Sequence, residues 1–225
     1  MDTPGGGIET GFTAAGGIVN FSPEDAARLE TLLRWRRDVR HFRPDPVPEA
    51  LLVRLRTMMA LAPSVGNARP WRVLSVKSAT LRAAVRALFE QENRVAAAGY
   101  DPEHAEVYAR LKLAGLDRAP EQLAIFMLED PEAGHRLGRC TMPETLHQST
   151  AMAIHTLWLA ARAENLGLGM VSILDPRHME HLLQVPEGWR FSAYLCLGWP
   201  ETHDDTPLLH RTGWQENTPT VWEER

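Results

Sequence analysis

Three arginines and one carboxylate lie within five residues at the end of a predicted amphipathic helix. Arg36, Arg37 and Arg40 flank Asp38 in this short stretch. Guanidinium groups this close together typically bind a polyanion, because each can hold phosphate oxygens through two N–H groups. A carboxylate beside a bound phosphate costs electrostatic energy unless it pairs with an arginine or takes part in chemistry. The stretch therefore predicts an anion site with a functional carboxylate, and a solvated charge run at a helix end is the alternative.

A second candidate site is the loop at 62–71, which follows the second predicted helix. It carries Ser64, Gly66 and Asn67 between two prolines. Backbone N–H groups, a hydroxyl and an amide in one loop suit a heteroaromatic ring whose edges present carbonyl and N–H groups. An ordinary turn before a strand is the alternative interpretation.

A third candidate is Ser172, which interrupts an apolar run at 170–174. The run predicts a strand, and a buried hydroxyl in a strand needs a hydrogen-bond partner. That partner is either a ligand or, as is commoner for a lone serine, the backbone. The residues alone leave both alternatives open.

The histidines and cysteines do not predict a metal site. His178 and His181 share a face of a predicted helix but lack a third ligand nearby, and Cys140 and His147 are poorly spaced. The sequence also lacks the glycine-rich nucleotide motifs and the motifs of zinc proteases and serine hydrolases. We therefore expect no metal.

Composition and charge restrict the partners. The 225 residues carry a net charge of −5 with a pI of about 6.0, and 44% are hydrophobic. Nucleic acid is not expected as a partner because there is no basic stripe, and no apolar run approaches the ~20 residues that span a bilayer. Residues 1–18 are typical of a flexible N-terminal arm and not of a signal peptide. Two unpatterned cysteines fit a reducing cytoplasm.

The remaining pattern predicts one α+β domain over 19–225. Ser22 and Pro23 begin the first helix, and Ser78 caps a third. The aperiodic segment after Trp199 carries Trp214 and Trp222, as in a tail that wraps a partner subunit or its own core. Further helices are predicted from 48, over 101–115, over 149–165 and over 175–183, strands over 71–76, 123–128, 170–174 and 191–197, and a long loop over 130–144.

Two sequence blocks resemble the signatures of the FMN-dependent nitroreductase family. They are Arg36-Arg37-x-Val39-Arg40-x-Phe42 and Pro63-Ser64-x-x-Asn67-x-x-Pro70-Trp71. Within that family the chain most resembles the 5,6-dimethylbenzimidazole synthase branch, and the matches run from about residue 22 to Trp214. They include Asp38 in the arginine block, Pro63-Ser64-Val65-Gly66, Leu111-Lys112-Leu113-x-Gly115, Leu137-Gly138-Arg139, the run at 157–164, Val171-Ser172-Ile173 and the run at 194–198.

The resemblance implies a homodimer that binds FMN across the subunit interface. The implied fold is a nitroreductase-like mixed sheet flanked by helices and completed by dimerisation. Arg36, Arg37 and Arg40 would hold the phosphate and the ribityl region, and Ser64 with Gly66 would lie against the flavin. The further flavin contacts that it implies are Asp38, Val39, Asn67, Leu113 and Ser172.

The resemblance also implies a reaction in which reduced FMN is the substrate. O2 attacks it, the ring system is fragmented, and 5,6-dimethylbenzimidazole, the lower ligand of vitamin B12, is released with erythrose 4-phosphate as the other expected fragment. Asp38 would move protons near the ribityl chain, and Ser172 would place a hydroxyl near the reacting flavin atoms. NAD(P)H would act as an indirect reductant through a separate flavin reductase.

Several positions depart from the branch pattern, and two other functions remain open. Arg69 stands in place of Gln, Gln148 in place of Tyr, and Met170 in place of Trp; His155-Thr156 and the acidic-polar run at 215–217 also differ. A remodelled pocket would suit an NAD(P)H-dependent nitroreductase or quinone reductase, against which Asp38 argues. A non-catalytic FMN-binding protein is the third interpretation, and the presence of both Asp38 and Ser172 argues against it.

Overall fold

The computed structural model describes residues 19–101, 104, 108 and 115–225. The helices are α1 (Pro23–Trp35), α2 (Glu49–Met59), α3 (Ala79–Ala97), α4 (Gly115–Arg118), α5 (Thr145–Ala163), α6 (Pro176–Leu182) and α7 (Leu208–Arg211). The strands are β1 (Trp71–Ser75), β2 (Glu121–Leu128), β3 (Gly167–Val171) and β4 (Trp189–Gly198), and a 3-10 turn lies at Val65–Asn67. The predicted N-terminal arm and Leu113 lie outside the described residues, as does nearly all of the predicted helix at 101–115.

The strands form one sheet in the order β1-β2-β4-β3. Every strand pair is antiparallel, with Leu123 of β2 opposite Leu195 of β4 and Gly169 of β3 opposite Cys196. Within the described residues, the parallel pairing expected of a mixed sheet is limited to an isolated bridge between Asp38 and Leu168. The predicted α+β class is confirmed.

Side chains alternate between the two faces of the sheet, as strand geometry requires. Ile125 and Leu195 face a core that contains Leu157 of α5 and Leu55 of α2. The neighbouring Phe126 and Tyr194 face a second core that contains Val85 of α3 and Met179 of α6. Since full burial of such a side chain is worth roughly 1.5–3 kcal/mol, these two cores hold the sheet between its helices.

β3 is built around two glycines that let another segment lie against it. A Cβ atom at Gly169 would lie 2.1 Å from the carbonyl oxygen of Val39, and one at Gly167 would lie 2.7 Å from the Val39 side chain. The Val39 N–H donates to the Leu168 carbonyl at 3.1 Å. The absent side chains therefore allow the chain beyond α1 to pack directly on the backbone of β3.

Some predicted boundaries are wrong. The third strand runs from Gly167 to Val171 and not over 170–174, so Ser172 follows the strand and is exposed instead of lying inside it. α5 begins at Thr145, earlier than the predicted 149, and the predicted loop at 130–144 precedes it. Among the described residues, no helix combines the length and apolar character needed to cross a membrane.

Packing of the tail on its own core, one of the two predicted alternatives, is seen for Trp214. Trp214 packs on its own chain, with its ring 5.2 Å from that of Tyr100 and 6.2 Å from that of Tyr108. Trp222 leaves 89% of its surface exposed. The end of the chain thus presents an uncovered aromatic side chain.

Candidate active site

The arginine segment, defined as residues 36–40, directly follows the end of α1. α1 begins with a capping box, in which Ser22 and Asp25 bind each other's backbone N–H groups. Arg36 ends the helix with φ −75° and ψ 103°, and its N–H still donates to the Leu32 carbonyl at 2.8 Å. The chain then runs extended along β3, which fixes the backbone of the whole segment.

Arg36 lies over an aromatic ring of α5. Its guanidinium carbon is 4.9 Å from the centroid of Trp158, a cation–π distance. Its Nε is buried and has no hydrogen-bond partner among the residues that the structure describes. A buried donor without an acceptor is costly, so this nitrogen is suited to an incoming anion.

Arg37 is tied to the C-terminal part of the chain. Its Nε and Nη2 both donate to the carbonyl of Asp205, at 2.9 and 2.6 Å. Burial, followed by repulsion from Arg36, lowers the pKa of Arg37. The indole N–H of Trp158 donates to the Arg37 carbonyl at 3.2 Å, so this residue anchors the arginine segment on both sides.

Asp38 is held by one neighbour on each carboxylate oxygen. Its Oδ1 accepts from the Met170 N–H at 2.9 Å, and its Oδ2 accepts from Arg40 Nε at 3.3 Å. Burial raises the pKa of Asp38 above the ordinary aspartate value, while the Met170 N–H and the charge of Arg40 act in the opposite direction. The side chain keeps 34% of its surface exposed. A carboxyl group in this setting can both hold a proton and exchange it.

A cavity of about 200 Å³ adjoins the arginine segment. All five residues of the segment line it, as do Trp158 and Arg162 of α5 and the C-terminal residues His203, Asp204 and Arg211. Ligand pockets of drug-sized molecules usually measure ~300–1,000 Å³. A cavity of this volume can enclose only part of a flavin nucleotide.

Sequence reasoning missed the cationic side chains on the far side of this cavity. Arg162 contacts His203 at 2.8 Å, and Arg211 pairs with Asp204 at 2.9 Å. Burial, then the charges of Arg162 and Arg43, lowers the pKa of His203, which favours the neutral ring as a hydrogen-bond acceptor for Arg162. Arg162 could have been found from the sequence, because it lies one helical turn after Trp158 in the run at 157–164 that resembles the family. His203 and Arg211 lie in no sequence pattern that would have identified them.

The serine turn, defined as residues 64–69, lies outside the lining of this cavity. Ser64 Oγ accepts from the Arg69 N–H at 3.0 Å, and the Val65 N–H donates to Ser149 Oγ of α5 at 3.0 Å. Gly66, Asn67 and Arg69 all have left-handed backbone, with φ of 55°, 54° and 45°. Asn67 is exposed, and Ser64 and Gly66 are half-buried.

Ser172 also lies outside the cavity lining. It is exposed, and it follows by two residues the Met170 whose N–H holds Asp38. No cluster of three or more His, Cys, Asp or Glu side chains capable of holding a metal occurs in the described part of the chain. The arginine segment thus lines this cavity, while the serine turn and Ser172 do not.

Comparisons with known proteins show close relatives of this chain. A 5,6-dimethylbenzimidazole synthase from Rhodobacter capsulatus is 63% identical over 207 residues, which are 92% of this chain and 100% of that protein. Another from Rhodospirillum rubrum is 50% identical over 199 residues, covering 88% of this chain and 94% of that protein.

A solved structure of oxidized iodotyrosine deiodinase bound to FMN and 3-iodo-L-tyrosine shares the fold. Its TM-score is 0.68 at 22% identity, covering 88% of this chain and 97% of that one. The Nitroreductase family model matches residues 33–199. With relatives this similar over nearly its whole length, the chain belongs to the nitroreductase family.

Proposed function

We propose that this protein is a 5,6-dimethylbenzimidazole synthase, which fragments reduced FMN with O2. The observation that carries the proposal is the 63% identity to a synthase over that relative's full length. A match of that length includes the segment in which Asp38 lies among three arginines. That Asp38 lines the cavity supports a chemical role for it.

The cavity supports FMN as the ligand. Arg36 has a buried Nε without a partner among the described residues, and Arg40, Arg162 and Arg211 add positive charge around the same space. Phosphate is the group that such a set binds best. Arg36 and Arg40 would hold the phosphate and ribityl chain, Val39 would lie alongside them, and Arg37 would keep the segment in place through Asp205.

Asp38 is the residue proposed to move protons. When bound, reduced FMN supplies the electrons that O2 accepts, and its ring system supplies the product. Asp38 can take and return a proton at its carboxyl group, while the hydrogen bonds from Arg40 and Met170 hold the group in position. A carboxyl whose pKa lies above the ordinary value is closer to the pH at which general acid–base catalysis is most effective.

A homodimer is proposed to complete the site. The cavity on one chain is too small for a whole flavin nucleotide, and the serine turn and Ser172 do not line it. Joining the serine turn and Ser172 to a cavity across an interface would bring Ser64, Gly66, Asn67 and Ser172 to the ring, with Ser172 placing its hydroxyl near the reacting atoms. Leu113, which lies outside the described residues, stays a proposed flavin contact from the family resemblance alone. Large apolar side chains that a partner could cover are exposed on α1, on α5 and in the tail, at Leu29, Leu33, Met152, Val221 and Trp222.

The source of reduced flavin is proposed to be a separate reductase that uses NAD(P)H. A cytoplasmic location suits that supply and the unpaired thiols of Cys140 and Cys196. A conventional NAD(P)H-dependent nitroreductase or quinone reductase is the second candidate, because Met170 stands exposed directly beside Asp38 where the branch usually has Trp.

An aerobic single-turnover experiment tests the proposal. The purified protein is mixed with pre-reduced FMN, and the products are separated by chromatography and identified by mass. We expect one equivalent of 5,6-dimethylbenzimidazole per flavin consumed. Recovery of intact oxidised FMN with no fragment would instead favour the second candidate, which oxidation of NAD(P)H by nitro or quinone acceptors would then establish. If FMN stays bound and unreactive under both conditions, the remaining interpretation is a non-catalytic FMN-binding protein.

A further inference from the structure

We propose that Arg139 is a positioning residue that holds the serine turn in its flavin-binding conformation. It acts from the loop at 130–144, called here the glycine loop. The inference rests on the proposed function, since the serine turn is the part expected to lie against the flavin. Arg139 does not line the cavity, so any effect of this residue on flavin has to pass through its neighbours.

The side chain of Arg139 closes the glycine loop on its own beginning. Arg139 is 8% exposed; its Nη1 donates to Asp130 Oδ1 at 2.5 Å and its Nη2 donates to the Pro131 carbonyl at 2.6 Å. A forked pair of charge-assisted bonds fixes geometry as well as contributing energy. The Nε is buried without a hydrogen-bond partner in the described part of the chain. Among the described residues, the bonds to Asp130 and Pro131 are therefore the ones that compensate for burying the guanidinium group.

Between these contacts the backbone of the glycine loop is strained. Gly134, His135 and Arg136 are consecutive left-handed residues with φ of 80°, 46° and 62°, and Gly138 has φ 78°. This conformation is unfavourable for residues with a side chain, and it persists only where the surroundings fix it. The Arg139 fork is the bond that joins the two ends of this strained segment.

The glycine loop packs directly on the serine turn. A Cβ atom at Gly134 would lie 2.8 Å from the Gly66 carbonyl oxygen, and a Cβ atom at Gly66 would lie 2.9 Å from the Gly134 carbonyl oxygen. A Cβ atom at Gly138 would lie 2.8 Å from the Val65 side chain. Backbone therefore meets backbone at this contact, and a shift of either segment displaces the other.

The serine turn depends on this support because it is strained as well. Three of its residues are left-handed. Its internal hydrogen bonds run from the Asn67 N–H to the Ser64 carbonyl at 3.0 Å, from the Ala68 N–H to the Val65 carbonyl at 2.9 Å and from the Arg69 N–H to Ser64 Oγ at 3.0 Å. These bonds stabilise the turn locally, and the glycine loop limits its position through direct backbone contact. Releasing Arg139 should thus loosen the glycine loop first and the serine turn with it.

The test compares Arg139→Gln with Arg136→Gln. The control lies in the same loop and removes the same charge, but its side chain is exposed. Two quantities are measured for each: the dissociation constant of oxidised FMN by fluorescence quenching, and the hydrogen-exchange rates of the amides at 64–69. For Arg139→Gln we expect binding weaker by about tenfold or more and faster exchange at 64–69, with exchange in β2 and β4 unchanged.

Two further variants, Arg139→Lys and Asp130→Asn, test the role of the forked bonds. Arg139→Lys should recover part of the affinity, because an ammonium group can reach one acceptor but cannot present a fork. Asp130→Asn should act in the same direction with a smaller effect, and since Asp130 is 71% exposed this variant serves if Arg139→Gln does not fold. The control Arg136→Gln should stay within about twofold of the wild type.

Two results would overturn the proposal. One is a folded Arg139→Gln protein with wild-type exchange at 64–69, whatever its affinity. The other is an unfolded Arg139→Gln protein together with an Asp130→Asn protein that equals the wild type in both measurements. A wild-type protein that binds no FMN contradicts the proposed function instead, and the exchange rates at 64–69 still decide the role of Arg139.

Discussion

The arginine segment is held on the backbone of β3 by an isolated bridge, whereas the serine turn is a left-handed turn supported by its neighbours. Val39 donates to Leu168, and Asp38 bridges to the same residue of β3. The serine turn has positive φ at Gly66, Asn67 and Arg69. The first region contacts β3 through an isolated bridge and carries the charge. The second is a separate turn with its own hydrogen bonds, supported by Ser149 and the glycine loop. Substitutions in the two regions should therefore fail in different ways.

The largest expected effect is on turnover, at Asp38. Asp38→Asn keeps the shape of the side chain and can still accept from the Met170 N–H, but its amide NH2 group cannot accept from Arg40 Nε and the side chain cannot carry a proton. We expect single-turnover formation of 5,6-dimethylbenzimidazole to fall by about 10²–10⁴-fold, with the FMN dissociation constant changed by less than about threefold. Asp45→Asn, which removes an exposed carboxylate paired with Arg43, is the control. Product formation at the wild-type rate would exclude the proton-carrying role.

The next effect is on folding, at the contact between the arginine segment and β3. In Gly169→Ala the new Cβ atom would meet the Val39 carbonyl oxygen at 2.1 Å, so the backbone must move. We expect the free energy of unfolding to fall by about 3 kcal/mol or more, and the Tm by roughly 6 °C or more. Calorimetry measures both.

Gly188→Ala is the matched control for that substitution. Gly188 has φ 82° but nothing within 4 Å of its would-be Cβ, so its cost is the backbone strain of about 1–2 kcal/mol alone. If the two alanine variants lost the same free energy of unfolding, the close packing of residues 38–39 on β3 would add nothing to the cost of backbone strain.

A smaller effect is expected in the serine turn. Ser64→Ala removes the acceptor of the Arg69 N–H, which should cost about 1 kcal/mol of stability and weaken FMN binding by about fivefold. Ser78→Ala removes a comparable acceptor, that of Leu81 N–H at the start of α3, and should cost about the same stability with no change in FMN binding. Titration of FMN into both variants separates local binding from general destabilisation, and equal affinities would contradict the role of the turn.

The smallest effect is the pH dependence of stability that Asp38 contributes. Burial raises the pKa of Asp38 in the folded protein, so the folded state binds this proton more tightly than the unfolded chain, whose aspartate pKa is about 3.9. The stabilisation is fully present below that value and is lost as the pH rises through the folded-state pKa. Urea unfolding of wild type and Asp38→Asn should give a stability difference that moves in favour of the variant as pH increases. A difference that is constant, or that moves the other way, would show that the pKa is not raised.

The same comparison explains what the sequence could predict. The arginine segment and the serine turn have local signals, namely dense charge after a helix and a Pro-Ser-Gly-Asn loop, so both were located correctly as a helix end and a turn. β3 was misplaced because glycine is depleted in strands. The Gly-Leu-Gly start of β3 is a strand because it pairs with β4, and its glycines let residues 38–39 pack against it. His203 and Arg211 join the cavity through contacts between distant parts of the chain, which periodicity and motif spacing do not encode. The likeness to a known family supplied the chemistry that residue patterns left open.

One helix connects the two regions mechanically. α5 holds the serine turn through Ser149 and the arginine segment through Trp158, and at 1.5 Å of rise per residue these anchor points are about 13 Å apart along its axis. α5 therefore acts as a spacer of fixed length. Inserting a single residue between the anchors would rotate one relative to the other by about 100°, so that neither region could keep its contacts without unwinding the helix. The binding site therefore depends on the length of α5 and on the helical phase between its two anchor points, as well as on the residues at its surface.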